Sequence, residues 1–296
     1  MLKQGLTDAV STRFFMPSPA LKPYVSTYYL TEFAIRPGEP ISDWLHPEWG
    51  NVRLSETPAW RFAIGGKDYE GLGQAIGTGP TSQATHFMIE APTRVWGIGI
   101  LPLGWLRLVD TPAQRLADLT IDCEAQSPFG DFSDLHTALF NGKVDPHAEA
   151  ARIDGYLLDL LERRPRHEDE ERIRLAHAAL IDDNIASVGE LAERIGTSSR
   201  SLERLSLRAF GFSPKLLLRR QRFLRSLSQF MLDPSLTWIR TLDYQYVDQA
   251  HFVRDFKRFM TMSPSTYAAL DHPVLRSAAR ARAVAAGAAV QALHKP

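Results

Sequence analysis

Between Arg200 and Arg225 the sequence sets eight basic residues, Arg200, Arg204, Arg208, Lys215, Arg219, Arg220, Arg222 and Arg225, against one acid, Glu203. The planar guanidinium fork donates two parallel hydrogen bonds to a paired acceptor edge, and both arginine and lysine meet phosphate. A stretch so one-sided reads as an anion-binding face or as a contact for an acidic partner. Other chemistry is thinly supplied. The single cysteine, Cys123, excludes an internal disulfide framework and a four-cysteine zinc site, and its ordinary reading is a small buried apolar residue. His46, Glu48 and His86 are the grouping to weigh as metal ligands, but no His–x–His pair accompanies them. No Gly-rich phosphate loop, G-x-S-x-G elbow or HExxH helix occurs. Neither a metal nor a cofactor is expected, and the chain does not read as an enzyme.

The basic residues must be positioned by helices. Ser187-Val188-Gly189-Glu190 forms a capping box, with Ser187 as N-cap and Glu190 reaching back to it. A helix through Leu191, Ala192 and Ile195 is broken by Gly196-Thr197-Ser198. A second runs from about Ser199 to Phe210. Ser213-Pro214 starts a third, with serine capping and proline at the first helical position, and it continues to Met231. Asp233-Pro234 stops it, a fourth helix covers about Leu236 to Leu242, and Trp238 reads as core. Asp248 caps a fifth helix through Met260, and Ser263-Pro264 begins a last one. Beyond His272 an Ala/Arg-rich tail is expected to fray or be disordered.

A repeat lies within this region. Shifted by fifty residues, Leu202 falls on Phe252, Arg204 on Arg254, Arg208 on Arg258, Phe210 on Met260, and Ser213-Pro214 on Ser263-Pro264. Each unit has a short bracing helix, a turn and a basic helix. That is the layout of a helix-turn-helix, whose second helix meets the major groove with its N-terminal residues. In the first unit Ser199, Arg200, Glu203 and Arg204 are the candidate base readers. Ser198, Arg208 and Lys215 are placed for phosphates. In the second, Gln249, Ala250, His251 and Arg254 correspond, with Lys257 and Arg258 on the backbone. A bidentate arginine–guanine pair is worth about 1–3 kcal/mol of discrimination. The bland alternatives are a solvated basic face and, for His251, packing against a neighbouring helix.

These residues resemble the AraC/XylS family of transcription regulators. The likeness is carried by Leu191-Ala192, Ser198, Arg200, Leu202 and Arg204, then Gly211-Phe212-Ser213-Pro214 and Arg220-Gln221-Arg222-Phe223. It continues through Tyr246, Asp248, Gln249, His251, Phe252, Arg254, Phe256 and Lys257 to Ser263-Pro264 and Tyr267. The resemblance covers about Ile173 to Leu270. It implies two helix-turn-helix subdomains, joined by the Pro214–Met231 helix, reading adjacent major-groove segments. Five positions depart from the family pattern: Ser206 for a phenylalanine, Arg240-Thr241 for Ile-Ala, and Gln245 and Thr261 for glycines. They imply a weaker core and turn in the second unit.

Upstream, to about Asp110, the sequence is β-rich and holds five of the six tryptophans. Tyr24–Phe33, Trp60–Ile64 and Arg94–Leu101 read as strands ended by turn residues. From Thr111 the pattern turns helical, notably over Ala138–Phe140 and Ile153–Leu161. A charged segment from Glu162 to Arg172 reads as a linker or as the start of the next helix. The stretches PALKPYV, HPEWGNVRL and GIGILPLGW are similar to the sensor domains of one subgroup of the family. This implies a small jelly-roll barrel that binds an effector or dimerises.

The expected class is therefore α+β. A β-barrel or jelly-roll-like domain with flanking helices spans 1–165, an all-α double helix-turn-helix domain spans 173–272, and the tail is 273–296. Tyr28, Trp44, Trp60 and Trp96 are candidate effector-binding residues, with barrel core as their ordinary reading. Candidate partners are double-stranded DNA, a small effector, RNA polymerase and a second copy of the chain. No membrane span or secretion signal is read, and the cytoplasm is the expected location. Two alternatives stay open: a cupin-like enzyme, and a ligand sensor with degenerate DNA binding.

Overall fold

The computed structural model describes residues 9–286 apart from 59, 110, 124–126 and 233–240, with the side chains of 232 and 282–286 left aside. Two sheets lie at the N-terminal end. The six-stranded sheet comprises β1 (Val10–Phe15), β2 (Val25–Phe33), β9 (Thr93–Ile100), β4 (Gly50–Ser55), β7 (Ala75–Thr78) and β10 (Thr120–Asp122), in that spatial order. The four-stranded sheet runs β3 (Ile41–Leu45), β8 (Thr85–Ile89), β5 (Trp60–Ile64) and β6 (Lys67–Tyr69). All pairings are antiparallel. The central strands β4 and β9 are buried along nearly their whole length, because both faces of the large sheet are covered.

Strand alternation sorts the two faces. Tyr28, Leu30, Val52, Leu54, Trp96, Ile98 and Ile100 pack against helices α2 (Asp131–Phe140) and α3 (Pro146–Arg163), through Phe132, Leu135, Leu139, Ile153 and Leu157. The opposite face, with Val10, Phe33, Ile76 and Val95, meets Ile41, Trp60, Phe62, Phe87 and Ile89 of the small sheet. The result is the jelly-roll-like arrangement expected from the sequence, as two facing sheets. Gly97 permits one close approach: a Cβ there would stand 1.8 Å from the Tyr29 ring.

Helix α1 (Pro102–Leu108) follows β9 directly, and β10 lies beyond the point where the sequence turns helical, so the change from strand to helix is less abrupt than it reads. The remaining helices are α4 (Glu170–Ile181), α5 (Val188–Arg194), α6 (Ser199–Phe210), α7 (Pro214–Leu232), α8 (Gln249–Met260), α9 (Pro264–Ala268) and α10 (Pro273–Ala286). The expected helix from Leu236 to Leu242, with Trp238 and Arg240, lies mostly outside the described residues. Among those described, no helix is long and apolar enough to cross a membrane.

The tail differs from expectation. Residues 273–286 form α10, which lies along β1 and β3. Val274 enters the core between the sheets. Asp43 on β3 accepts hydrogen bonds from the Val274 and Leu275 amides at 2.9 and 3.0 Å, so a buried carboxylate caps this helix from a distant strand. Composition alone pointed to fraying; the cap and the apolar docking face override it. Residues 287–296 lie outside the described range.

Candidate nucleic-acid interface

The first unit is built by local rules. Ser187 accepts from the Glu190 amide and Glu190 reaches back to the Ser187 amide, so the capping box closes as read. Gly196 turns the chain at φ +65°, and Ser198 caps α6 through the Ser201 amide at 3.2 Å. Leu191, Ala192, Ile195, Leu202 and Leu205 share one core, completed by Ala176 and Leu180 of α4. The turn therefore holds α6 with Ser199, Arg200, Glu203 and Arg204 all exposed on its outer side. Arg208 and Lys215 are exposed as well, and Arg208 lies 3.8 Å from Asp169. Ser206 is fully buried with no partner for its hydroxyl, which marks the site where the family pattern has a phenylalanine.

The second unit repeats the first at a shift of fifty residues. Asp248 caps α8 through the His251 amide at 2.6 Å, as Ser198 caps α6. Phe252 and Met260 are buried where Leu202 and Phe210 are, and Arg254 and Arg258 are exposed where Arg204 and Arg208 are. Both helices end on a left-handed residue, Gly211 at φ +83° and Thr261 at φ +62°. The departures from the family pattern leave an aromatic core intact. Phe223 of α7 stacks on Phe259 at 5.0 Å and meets Phe256 edge-on at 5.5 Å, and Tyr246 meets Phe252 at 5.4 Å. Thr241 is buried, and Gln245 donates from Nε2 to the Asp183 carbonyl at 2.6 Å. The Tyr244 hydroxyl donates to the same carbonyl. Both contacts tie the second unit to the loop that precedes the first.

Four of the eight arginines and lysines between 200 and 225 do not belong to an outer face. Arg219 and Arg222 bind the fully buried Asp255 at 2.5 and 3.4 Å, and Arg225 binds Asp243 at 2.5 Å. Arg220 is buried, donating to the carbonyls of Glu48 and Thr81 at 3.2 and 2.8 Å and lying over the Trp49 ring. Burial pushes its guanidinium below the ordinary value, yet arginine keeps its charge at neutral pH. The outward basic set is Arg200, Arg204, Arg208 and Lys215, joined by Arg254, Lys257 and Arg258. Gln249 and Ala250 are exposed beside them. His251 is half-buried, edge-on to Tyr246 and 3.3 Å from Arg222, so its ring is engaged inward.

The four aromatics named for an effector do not gather. Tyr28 and Trp96 lie in the core under α2 and α3, donating to Asp154 and Glu149. Trp60 lies between the sheets, donating to the Gly73 carbonyl. Trp44 stacks on His86, 4.7 Å away. Tyr28 and Trp96 point to the helix-covered face because β2 and β9 alternate, and side chains there cannot reach the interior. A cavity of about 430 Å³ opens between the large sheet, α7 and α10. Its lining includes Thr12, Tyr29, Thr31, Asn51 and Arg53 from the large sheet, Gln221, Leu224 and Met231 from α7, and Leu275 and Ala278 from α10. Arg53 is buried and paired with Glu48 at 2.5 Å. The sequence signal for this lining was β-strand alternation, with polar Asn51 and Arg53 interleaved with apolar Val52 and Leu54. The three residues weighed for a metal diverge: His46 bonds the Tyr267 hydroxyl at 2.7 Å, Glu48 pairs with Arg53, and His86 packs on Trp44.

Residues 191–269 match a family model described as "Helix-turn-helix domain". No curated protein matches the chain. Solved structures similar to it include ToxT from Vibrio cholerae, at 13% identity and a TM-score of 0.46, over 88% of this chain and 97% of that one. Wild-type ToxT from Vibrio cholerae strain SCE256 bound to unsaturated fatty acid gives 13% and 0.44, over 88% and 93%. The AraC-like transcriptional activator CuxR gives 13% and 0.24, over 76% and 89%. With the matched domain, the motif residues of both units and their repeated geometry in place, residues 191–269 form a helix-turn-helix domain.

Proposed function

We propose that α6 and α8 enter adjacent major-groove segments of one duplex, held at a fixed spacing by α7. Arg200 and Arg204, with Ser199 and Glu203, read bases in the first segment; Arg254, Gln249 and Ala250 read the second. His251 orients the start of α8 through Arg222 and Tyr246. Arg208, Lys215, Lys257 and Arg258 take phosphates, with Ser198 beside the first contact. The observation that carries this reading is the equivalence of the two capped helices, whose exposed arginines fall at the same helical positions on a common rod.

The division of labour follows from chain position. The β-rich part, to about residue 165, serves as the sensor, and 173–272 binds DNA. The 430 Å³ cavity is the effector site, because its wall is shared by the large sheet and by α7, the rod between the two prongs. Binding there acts on the DNA-reading units by contact with Gln221, Leu224 and Met231. A polar, partly apolar small molecule fits the mixed lining. RNA polymerase and a second copy of the chain are further partners of such a regulator, and the cytoplasm is where it would act.

Selection of bound sequences from random duplex DNA tests the assignment. Arg204→Ala should flatten preference at one or two base pairs. Lys215→Ala should weaken all sequences alike and lower the slope of log affinity against log salt by about one. Full specificity in the Arg204→Ala protein overturns the base-reading role.

A further inference from the structure

A second cavity, of about 460 Å³, lies between α1, the 164–167 loop and the far end of α6. It shares no lining residue with the cavity beside α7 and α10. Five of its lining side chains are basic: Arg107, Arg164, Arg166, His167 and Arg208. No acid lines it. The carboxylates that pair with these groups stand outside the lining: Glu170 on Arg107 at 2.8 Å, Asp131 on Arg164, and Asp169 on Arg208 at 3.8 Å. Four guanidiniums against three carboxylates leave one positive charge. Arg166 is exposed, and no ion pair engages it among the described residues.

Arg107 is the innermost of these groups. Its side chain is only 6% exposed. Its Nη atoms are fixed by Glu170 and by the Leu161 and Arg164 carbonyls at 2.8 and 2.9 Å, while its buried Nε has no partner. A buried donor left unmade is costly, and native structures rarely keep one without a reason. Trp105, Val109 and Pro112 supply an apolar wall beside the charges.

We infer that this cavity binds a small phosphate monoester with an apolar or planar body. A monoester carries about −1.5 to −2 charges and three acceptor oxygens at neutral pH, which matches the unpaired charge and the cluster of forks. A carboxylate brings half that charge. The phosphodiester of a duplex also brings one charge, and a stiff double helix does not reach a guanidinium buried as deeply as Arg107. The ligand would be held between α1 and the 164–167 loop, at the C-terminal end of α6.

Titration calorimetry on the full chain without DNA tests this, with guanosine monophosphate, inorganic phosphate and guanosine as probes. Guanosine monophosphate should bind, inorganic phosphate should bind more weakly, and guanosine should give no heat. Arg166→Glu, which breaks no ion pair or side-chain hydrogen bond among the described residues, should weaken both phosphate probes at least tenfold, and Arg107→Met should do the same. No heat from either phosphate probe at millimolar concentration overturns the inference. So does equal binding by wild type and Arg166→Glu. A 20-base-pair duplex serves as competitor: displacement of the monoester together with an equal loss of duplex affinity in Arg166→Glu would make the cavity part of the DNA surface, and also overturns it. None of these readings depends on which bases α6 and α8 contact.

Discussion

Arg220 of α7 lies over the indole of Trp49, its guanidinium carbon 4.0 Å from the ring centroid. The same group donates to the carbonyls of Glu48 and Thr81, so one side chain joins α7, between the two helix-turn-helix units, to the loop before β4 and the loop after β7. Trp49 in turn meets Phe210, the last residue of α6, edge-on at 5.7 Å. The contact links the large sheet, α7 and α6 in a single packed unit.

Arg220→Met should therefore lose two charge-assisted hydrogen bonds and a cation–π contact, at a cost of about 2–3 kcal/mol. Lysine should not rescue it, because an ammonium lacks the flat face that stacks on the indole. Urea denaturation of the three proteins checks this. Wild-type stability in Arg220→Lys would mean that charge alone matters.

His177 of α4 is buried edge-on to Trp49 at 5.4 Å, and its Nε2 has no partner. Burial, and then the charge of Arg220, pushes its pKa down from 6.5 to about 4. The unfolded chain takes up the proton near pH 6.5 and the folded chain only near 4, so unfolding binds a proton between those values. This group should leave stability unchanged above about pH 7 and remove about 1 kcal/mol per pH unit as the pH falls from 6.5 toward 4. His177→Phe should flatten that part of the stability profile. A profile of unchanged slope would place the effect elsewhere.

Thr261 ends α8 in the left-handed region, where a β-branched side chain is strained and glycine is not. Gly211 holds the equivalent position after α6. Thr261→Gly should stabilise the protein by about 1 kcal/mol, and Gly211→Thr should destabilise it by at least as much. Thermal melts of both variants decide the matter. A destabilised Thr261→Gly protein would show that the Thr261 hydroxyl bond to the Met260 carbonyl outweighs the strain.

Asp43 accepts from the first two amides of α10 and from His272, whose other ring nitrogen lies 2.9 Å from the Tyr267 carbonyl. One carboxylate thus anchors α10 to the small sheet and α9 to α10. Asp43→Ala should leave these donors unmet and release α10 from β1 and β3. Amide hydrogen exchange should then quicken at least tenfold across 274–281 while α6 keeps its protection. Equal quickening in α6 would indicate global destabilisation instead.

The sequence by itself determined the caps at Ser187, Ser213 and Asp248, because each rests on a partner three positions on, Glu190, Leu216 and His251, and it showed the fifty-residue repeat by matched residue types. It also determined that Arg200 and Arg204 face outward, since Leu202 and Leu205 fix the inward face of α6. It did not determine the fate of the arginines on α7. Arg219, Arg220, Arg222 and Arg225 surround that helix on all sides, and local periodicity cannot say which side meets solvent. Their partners lie far along the chain, Glu48 at a separation of 172 residues and Asp255 at 36 and 33. The tail and the interior cavity were decided in the same way, by strands such as β1, β3 and β4 that approach α7 and α10 only once the sheets have closed on each other. Burial of a charge depends on what covers it, and that cover is supplied by the tertiary structure.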